Sequence, residues 1–116
     1  MTQTDVLPQQ TSAMVKHTIA SIHQNYASVL SRQRIADAVG VNKDYLDRIF
    51  QREMQLSPWN YLTRYRMKRA KELLDTTSSS ITMIATQVGF EDVAYFSRVF
   101  KKEVGCSPRD YREQPG

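Results

Sequence analysis

The sequence predicts an all-α fold of seven helices, and three observations carry that expectation. Apolar residues recur at helical spacing from Ser12 onward. No sustained alternation of apolar and polar residues marks a strand. Ser-Pro pairs and glycines punctuate the segments where helices should start and stop. A length of 116 residues suits one domain, or two very small subdomains sharing a core.

The elements follow in order. Residues 1–11 are polar, contain Pro8 and lack periodicity, which reads as a flexible tail or interdomain linker. Val15, Ile19, Ile22 and Tyr26 form an apolar stripe along a first helix. Ile35, Ala36 and Val39 mark a second, ended at Gly40, a residue suited to the left-handed position just past a helix. Leu46, Ile49 and Phe50 mark a third, with Asn42 as its N-cap. Ser57-Pro58 opens a fourth, serine as N-cap and proline at the first helical position. That helix runs through Tyr61, Leu62, Tyr65, Ala70, Leu73 and Leu74 and fails in the polar run from Asp75 to Ser80. Ile81, Ile84, Ala85 and Val88 make a fifth, stopped by Gly89. Phe96, Val99 and Phe100 place a sixth, and Ser107-Pro108 starts a seventh.

The fifth to seventh helices repeat the second to fourth. At an offset of 49, Ile35, Ala36, Val39 and Gly40 match Ile84, Ala85, Val88 and Gly89. At an offset of 50, Tyr45, Arg48, Phe50, Glu53, Ser57, Pro58 and Tyr61 match Tyr95, Arg98, Phe100, Glu103, Ser107, Pro108 and Tyr111. Two copies are too few for a solenoid, which needs about three. The reading is therefore a pair of subdomains, 12–56 and 77–116, joined by a central linker helix, 57–76. Each copy is a short helix, a glycine-containing turn and a longer helix, the helix-turn-helix arrangement whose second helix can enter a DNA major groove.

Helical geometry then selects the outward side chains. With Phe96, Val99 and Phe100 inward, Ala94, Arg98 and Lys101 face out, beside Ser97 and Lys102. In the first copy Asp44, Arg48 and Gln51 face out, beside Asp47 and Arg52. An arginine so placed can reach guanine O6 and N7 bidentately, or a phosphate. Basic residues Arg64, Arg66, Lys68, Arg69 and Lys71 crowd the fourth helix. With Arg52, Lys101 and Lys102, the first four of these are the phosphate-contact candidates.

The stretch Gly89–Arg112, GFEDVAYFSRVFKKEVGCSPRDYR, resembles the signature of the AraC/XylS family of bacterial transcription regulators: Gly-Phe, a variable stretch, Tyr-Phe-Ser-Arg-x-Phe-Lys-Lys, then Gly-x-Ser-Pro and Tyr-Arg. The resemblance extends over roughly 14–112. It implies two helix-turn-helix units whose third and sixth helices enter successive major grooves on one DNA face. Carried over by position, base-facing sites fall on Asp44, Asp47 and Arg48, and on Val93, Ala94, Tyr95, Ser97 and Arg98; Gln51 joins them from the helical geometry. The implied function is sequence-specific binding of double-stranded DNA at a promoter, with RNA polymerase as a further partner. Activation follows by analogy, while repression is equally open physically. The implied location is the bacterial cytoplasm, with association to the nucleoid when DNA is bound. The piece is expected to be the C-terminal DNA-binding part of a longer regulator whose sensing domain lies elsewhere.

A fourth helix roughly 26 Å long could set two readers one DNA turn, about 34 Å, apart, or force the duplex to bend. The third helix, Lys43–Gln55, balances three positive with three negative charges. Asp44 and Asp47 there would oppose phosphate unless an acid accepts from cytosine N4. The expectation is that the second unit supplies more electrostatic affinity and the first more sequence discrimination.

Bland readings stand beside these. Tyr45 and Tyr95 are expected to be partly buried packing residues, Trp59 core packing, and Cys106 a small buried residue. Arg32 aligns with Ile81 where an apolar residue is expected, and His17 and His23 lack partners at metal spacing. Sixteen Lys and Arg against twelve Asp and Glu give a net +4, which permits a polyanionic partner without requiring one. One cysteine excludes an internal disulfide and any Cys-rich metal site. No nucleophile–base pair, paired acids or Gly-rich phosphate loop is present, so neither an enzyme nor a cofactor is expected. No apolar run reaches the ~18 residues of a membrane span, and no secretory signal opens the chain. The rival reading is a helical protein-interaction module that has lost DNA binding.

Overall fold

The computed structural model describes residues 11–114. Among them are seven helices and no strand: α1 (Ala13–Asn25), α2 (Arg32–Ala38), α3 (Lys43–Met54), α4 (Pro58–Thr76), α5 (Ile81–Gln87), α6 (Val93–Val104) and α7 (Pro108–Glu113). The tail reading, 1–11, lies outside the described residues except for Thr11, which is buried and so belongs to the folded part.

The helix boundaries come from local chemistry. Ser31 and Ser80 each accept a backbone N–H three residues on, from Arg34 and Met83, capping α2 and α5. Asn42 and Asp92 each accept from two N–H groups at the start of α3 and α6. Ser57 accepts from Asn60 and Ser107 from Asp110, with a proline following each serine. Each of these caps satisfies donors that the first helical turn leaves without a partner.

The turn between paired helices is the same device twice. After α2, Val41 N–H donates to Ala36 O and Gly40 N–H to Asp37 O; after α5, Phe90 N–H donates to Ala85 O and Gly89 N–H to Thr86 O. This crossed pair of bonds needs a left-handed residue, supplied by Gly40 at φ +71° and Gly89 at φ +99°. The one-residue step in the repeat resolves to Glu91: the turns superpose through Val41 and Phe90, and the next matching residues are Asn42 and Asp92. The longer helices also end alike, α6 on Gly105 at φ 102° and α3 on Gln55, a non-glycine residue held at φ 65°.

The chain divides into two compact units, and the division departs from the partition expected from sequence. Within the described residues, the first unit holds 11–25 and Leu30–Leu62, and the second holds Tyr26–Val29 and 63–114. The fourth helix is therefore no separate linker element; its first turn belongs to one unit and the remainder to the other. The short segment after α1 is part of the second unit because Arg66 bonds its backbone.

In the first unit α1, α2 and α3 pack mutually. Val15, Ile19, Ile22, Ile35, Ala36, Leu46, Ile49, Phe50 and Leu62 are buried. Tyr61 meets Phe50 edge-to-face. Arg32 keeps its place opposite the expected apolar residue by laying its guanidinium over the Trp59 ring, 4.9 Å from the centroid. The second unit buries Met67, Ala70, Leu74, Ile84, Ala85, Val88, Phe90, Phe96 and Phe100 as one cluster. Its aromatic rings run Phe90–Phe96–Phe100–Tyr111 in successive tilted or edge-on contacts.

The two turn glycines predict different sensitivities. A Cβ on Gly40 would meet nothing within 4 Å, so Gly40→Ala should cost only the left-handed penalty, about 1–2 kcal/mol. A Cβ on Gly89 would lie 2.5 Å from Tyr26 O and 2.8 Å from two nitrogens of Arg66. Gly89→Ala should therefore cost more, roughly 3–4 kcal/mol with the overpacking included. Urea denaturation of both variants checks this, and equal costs would refute the steric account.

Candidate nucleic-acid interface

The two helices expected to read DNA present similar faces. On α3, Leu46, Ile49 and Phe50 are buried, while Asp44, Tyr45, Arg48, Gln51 and Arg52 are exposed and Asp47 is half-buried. On α6, Phe96 and Phe100 are buried, while Ala94, Tyr95, Arg98, Lys101 and Lys102 are exposed and Ser97 is half-buried. Val93 is different from the other base-facing candidates. It is half-buried and packs against the core of its unit, so its side chain is engaged inward.

The packing role expected for Tyr45 and Tyr95 holds in part. They are 45% and 51% exposed, because each lies at the boundary between the buried stripe and the outward face of its helix, and the Tyr95 ring meets the buried Phe90 ring at 5.9 Å between centroids. Each also supports an arginine one turn further on. The Arg48 guanidinium lies 5.4 Å from the Tyr45 centroid, and that of Arg98 lies 5.8 Å from the Tyr95 centroid. Neither arginine has an ion-pair or hydrogen-bond partner among the described residues.

The helices differ in charge. Lys43, Arg48 and Arg52 on α3 are offset by Asp44, Asp47 and Glu53, whereas Arg98, Lys101 and Lys102 on α6 meet only Glu103. Asp44 is paired with Lys43, Nζ to Oδ1 3.2 Å. Glu53 accepts from the Ser12 backbone N–H at 2.7 Å, an inward structural use. Glu103, its counterpart in the repeat, is exposed.

The phosphate candidates on α4 separate sharply. Arg66 is a correction: it is only 6% exposed, and its edge faces inward. Its Nε donates to Tyr26 O at 2.8 Å and its Nη2 to Ser28 O at 3.1 Å, and its face covers the Phe90 ring at 5.4 Å. Burial draws its pKa below the ordinary arginine value, yet a guanidinium remains charged at neutral pH. At 6% exposure and turned toward these carbonyls, Arg66 is not placed to reach a phosphate. Arg69 is half-buried and committed to Tyr26 Oη at 3.3 Å and Glu72 Oε1 at 2.9 Å; the Tyr26 bond is the main cause of its raised pKa. Lys68 is half-buried beside the Tyr65 ring, and Arg64 is exposed.

Sequence reasoning could have found Arg66. It falls four residues after Leu62 and four before Ala70, inside the buried stripe of α4, where a charge requires an internal partner. Arg112 had no such signal. Its guanidinium donates to Leu74 O, Thr77 O and Ser79 O, fastening α7 to the end of α4 and the following loop. Elsewhere, His23 Nε2 lies 2.8 Å from Tyr61 Oη, while Trp59 and Cys106 are half-buried. The described residues hold no group of three or more His, Cys, Asp or Glu able to bind a metal, and no helix long and apolar enough to cross a membrane.

Known proteins share this arrangement. A family model described as a helix-turn-helix domain matches residues 35–114. The HTH-type transcriptional activator RhaS of Escherichia fergusonii is 35% identical over 105 residues, covering 90% of this chain and 38% of that protein. The melibiose operon regulatory protein of Escherichia coli is 37% identical over 99 residues, covering 85% of this chain and 33% of that protein. The chain thus spans about a third of the length of the curated relatives it matches. Among solved structures, the C-terminal domain of AraT, a response regulator from Geobacillus stearothermophilus, superposes with a TM-score of 0.86 at 34% identity, covering 90% of this chain and 87% of that one.

The internal commitment of Arg66 has a direct consequence. Arg66→Met should destabilise the second unit by about 3 kcal/mol, since it leaves two carbonyls facing a methyl group. Arg64→Ala should stay within roughly 0.5 kcal/mol, as an exposed substitution. Chemical denaturation midpoints distinguish the two; a silent Arg66→Met would mean that the buried bonds contribute nothing.

Proposed function

Because this chain belongs to the AraC/XylS-type helix-turn-helix family of transcription regulators, we propose that it binds a specific double-stranded DNA site through α3 and α6, each lying in a major groove. The observation that carries the reading is the outward, unpaired arginine at the same position of both helices, Arg48 and Arg98. Both sit where a guanidinium edge can pair with guanine O6 and N7.

The contacts sort by chemistry. Arg48, Gln51, Ala94, Ser97 and Arg98 supply base-facing groups, Ala94 by apolar contact with a thymine methyl, while Tyr95 acts through Arg98. Asp47 opposes phosphate but accepts from cytosine N4, which favours discrimination over affinity in the first unit, while Asp44 is held by Lys43. Arg52, Arg64, Lys101 and Lys102 supply exposed charge for phosphates, with Lys68 a secondary contributor; Arg66, Arg69 and Val93 drop out because they are engaged internally. The surplus on α6 supports the larger electrostatic share for the second unit.

The full-length protein, on this reading, places this domain after a sensing domain and acts at promoters by engaging RNA polymerase. Activation is the favoured outcome, since the relatives RhaS and the lactose operon regulator of Staphylococcus xylosus are named activators. A DNA-binding regulator of a bacterial genome works in the cytoplasm, at the nucleoid while bound.

Selection from a random duplex library, followed by footprinting, is the test. The expected result is an enriched site with two protected patches about one helical turn apart. Four exposed phosphate-facing cations, Arg52, Arg64, Lys101 and Lys102, give a slope of log K against log[salt] near −3.6, or roughly a 12-fold loss on doubling the salt. No enriched duplex and a flat salt dependence would replace this reading with that of a protein-docking module.

A further inference from the structure

The repeated tyrosine–arginine pair invites a question that DNA contact alone does not answer. An arginine on an exposed helix face has many rotamers, and α3 offers Arg48 a competing partner. Asp44 is four residues earlier, the spacing at which an acid and a base meet across one helical turn. The two do not pair: Asp44 binds Lys43 instead, and Arg48 stacks on Tyr45. An exposed ion pair at this spacing is a weak interaction, and stacking of a guanidinium on an aromatic face is at least its equal.

The manner of holding matters as much as its strength. An ion pair uses the N–H edge of the guanidinium, the same edge that reads guanine. Stacking uses the flat face and leaves the five in-plane donors free. In α6 the residue four before Arg98 is Ala94, so no acid competes, yet Tyr95 holds Arg98 in the same way. Tyr45 has no aromatic packing partner among the described residues that would otherwise explain a large exposed ring there, while Tyr95 rests one side on Phe90, 5.9 Å between ring centroids, and still leaves half its surface exposed.

We propose that Tyr45 and Tyr95 are positioning residues, which hold Arg48 and Arg98 by their faces with the N–H edges free for guanine, and that Tyr45 also keeps Arg48 from being neutralised by Asp44. The inference rests on the reading of Arg48 and Arg98 as base contacts and assigns the tyrosines a role within it. It makes the two units respond differently to the same substitution. Loss of Tyr45 hands Arg48 to an acid, whereas loss of Tyr95 only frees Arg98 to wander.

The test uses fluorescence anisotropy on the duplex that the chain itself selects from the random library. Arg48→Ala and Arg98→Ala should each weaken binding about 10-fold or more. Tyr45→Leu should lose roughly 5-fold and Tyr95→Leu roughly 3-fold. Tyr45→Phe and Tyr95→Phe should bind as the parent does, since the ring and not the hydroxyl holds the arginine. Asp44→Ala should restore most of the loss of Tyr45→Leu and none of the loss of Tyr95→Leu. Tyr45→Leu and both phenylalanine variants should melt with the parent, whereas Tyr95→Leu, which also gives up the Phe90 contact, should melt slightly lower.

The outcomes separate cleanly. Arginine variants that bind like the parent overturn the base-contact reading itself. Arginine variants that lose affinity beside leucine variants that do not overturn only the positioning role. Phenylalanine variants as weak as leucine variants would assign the tyrosine hydroxyls to DNA directly, which also overturns it. Without any duplex, the Arg48 and Arg98 side-chain protons of the free chain should show aromatic ring-current shifts that vanish in the leucine variants; their absence in the parent would sink the proposal.

Discussion

A two-bond turn with one left-handed residue governs this molecule, because it fixes how each outward helix leaves the helix before it. The turn crosses two backbone hydrogen bonds at the end of α2 and again at the end of α5, and both times the fourth residue after the last buried alanine is not available to any side chain that prefers negative φ. The fully buried Ala36 and Ala85 stand at the carbonyls that receive the longer bond. Given that turn, the N-caps at Asn42 and Asp92 start the next helix, and the heptad-like spacing of its apolar residues decides which face looks inward. The outward arginine is then a geometric consequence of an inward phenylalanine two residues later.

The copies diverge where the second acquired a buried cation. Gly40 supplies backbone conformation alone, while Gly89 supplies conformation and empty space, since the volume its side chain would fill belongs to Tyr26 O and the Arg66 guanidinium. That guanidinium is tolerable in the interior because both its edge and its face have partners: two carbonyl oxygens and the Phe90 ring. No buried side-chain nitrogen or oxygen among the described residues lacks a hydrogen bond, so the desolvation penalty is offset locally. Arg112 repeats the principle nearer the surface with three carbonyls of the α4–α5 connection.

Most of the fold was legible because its signals are local. Caps, Ser-Pro starts, glycine stops and apolar periodicity each act within a few residues, and all seven helices appear where those signals put them. The resemblance of the second copy to a known family signature was legible for the same reason. What failed was the sorting of charged and aromatic side chains between solvent and interior. Arg66 looked like its solvated neighbours because its partners, the carbonyls of Tyr26 and Ser28, lie some forty residues away in the chain. Tyr45 and Tyr95 sit at the edge of the buried stripe, where a ring can serve both sides: each is about half exposed, and Tyr95 also meets the buried Phe90 ring. The apportioning of Tyr26–Val29 to the second unit was invisible for the same long-range reason.

The arginines show why net charge is a poor guide to a nucleic-acid surface. Where the N–H edge meets a carbonyl or carboxylate, as in Arg66, Arg69 and Arg112, the residue is engaged within its own unit regardless of the formal charge it carries. Where the guanidinium lies only beside an aromatic ring, as in Arg48 near Tyr45 and Arg98 near Tyr95, no ion-pair or hydrogen-bond partner among the described residues takes its donors. Arg32 over Trp59 belongs with the latter pair, which explains how a cation can occupy a position that the repeat fills with Ile81. The side chain packs on the indole while the residue as a whole stays exposed. A guanidinium has two separable surfaces, and the fold assigns them independently. The edge decides what an arginine can recognise, and the face decides how firmly it waits.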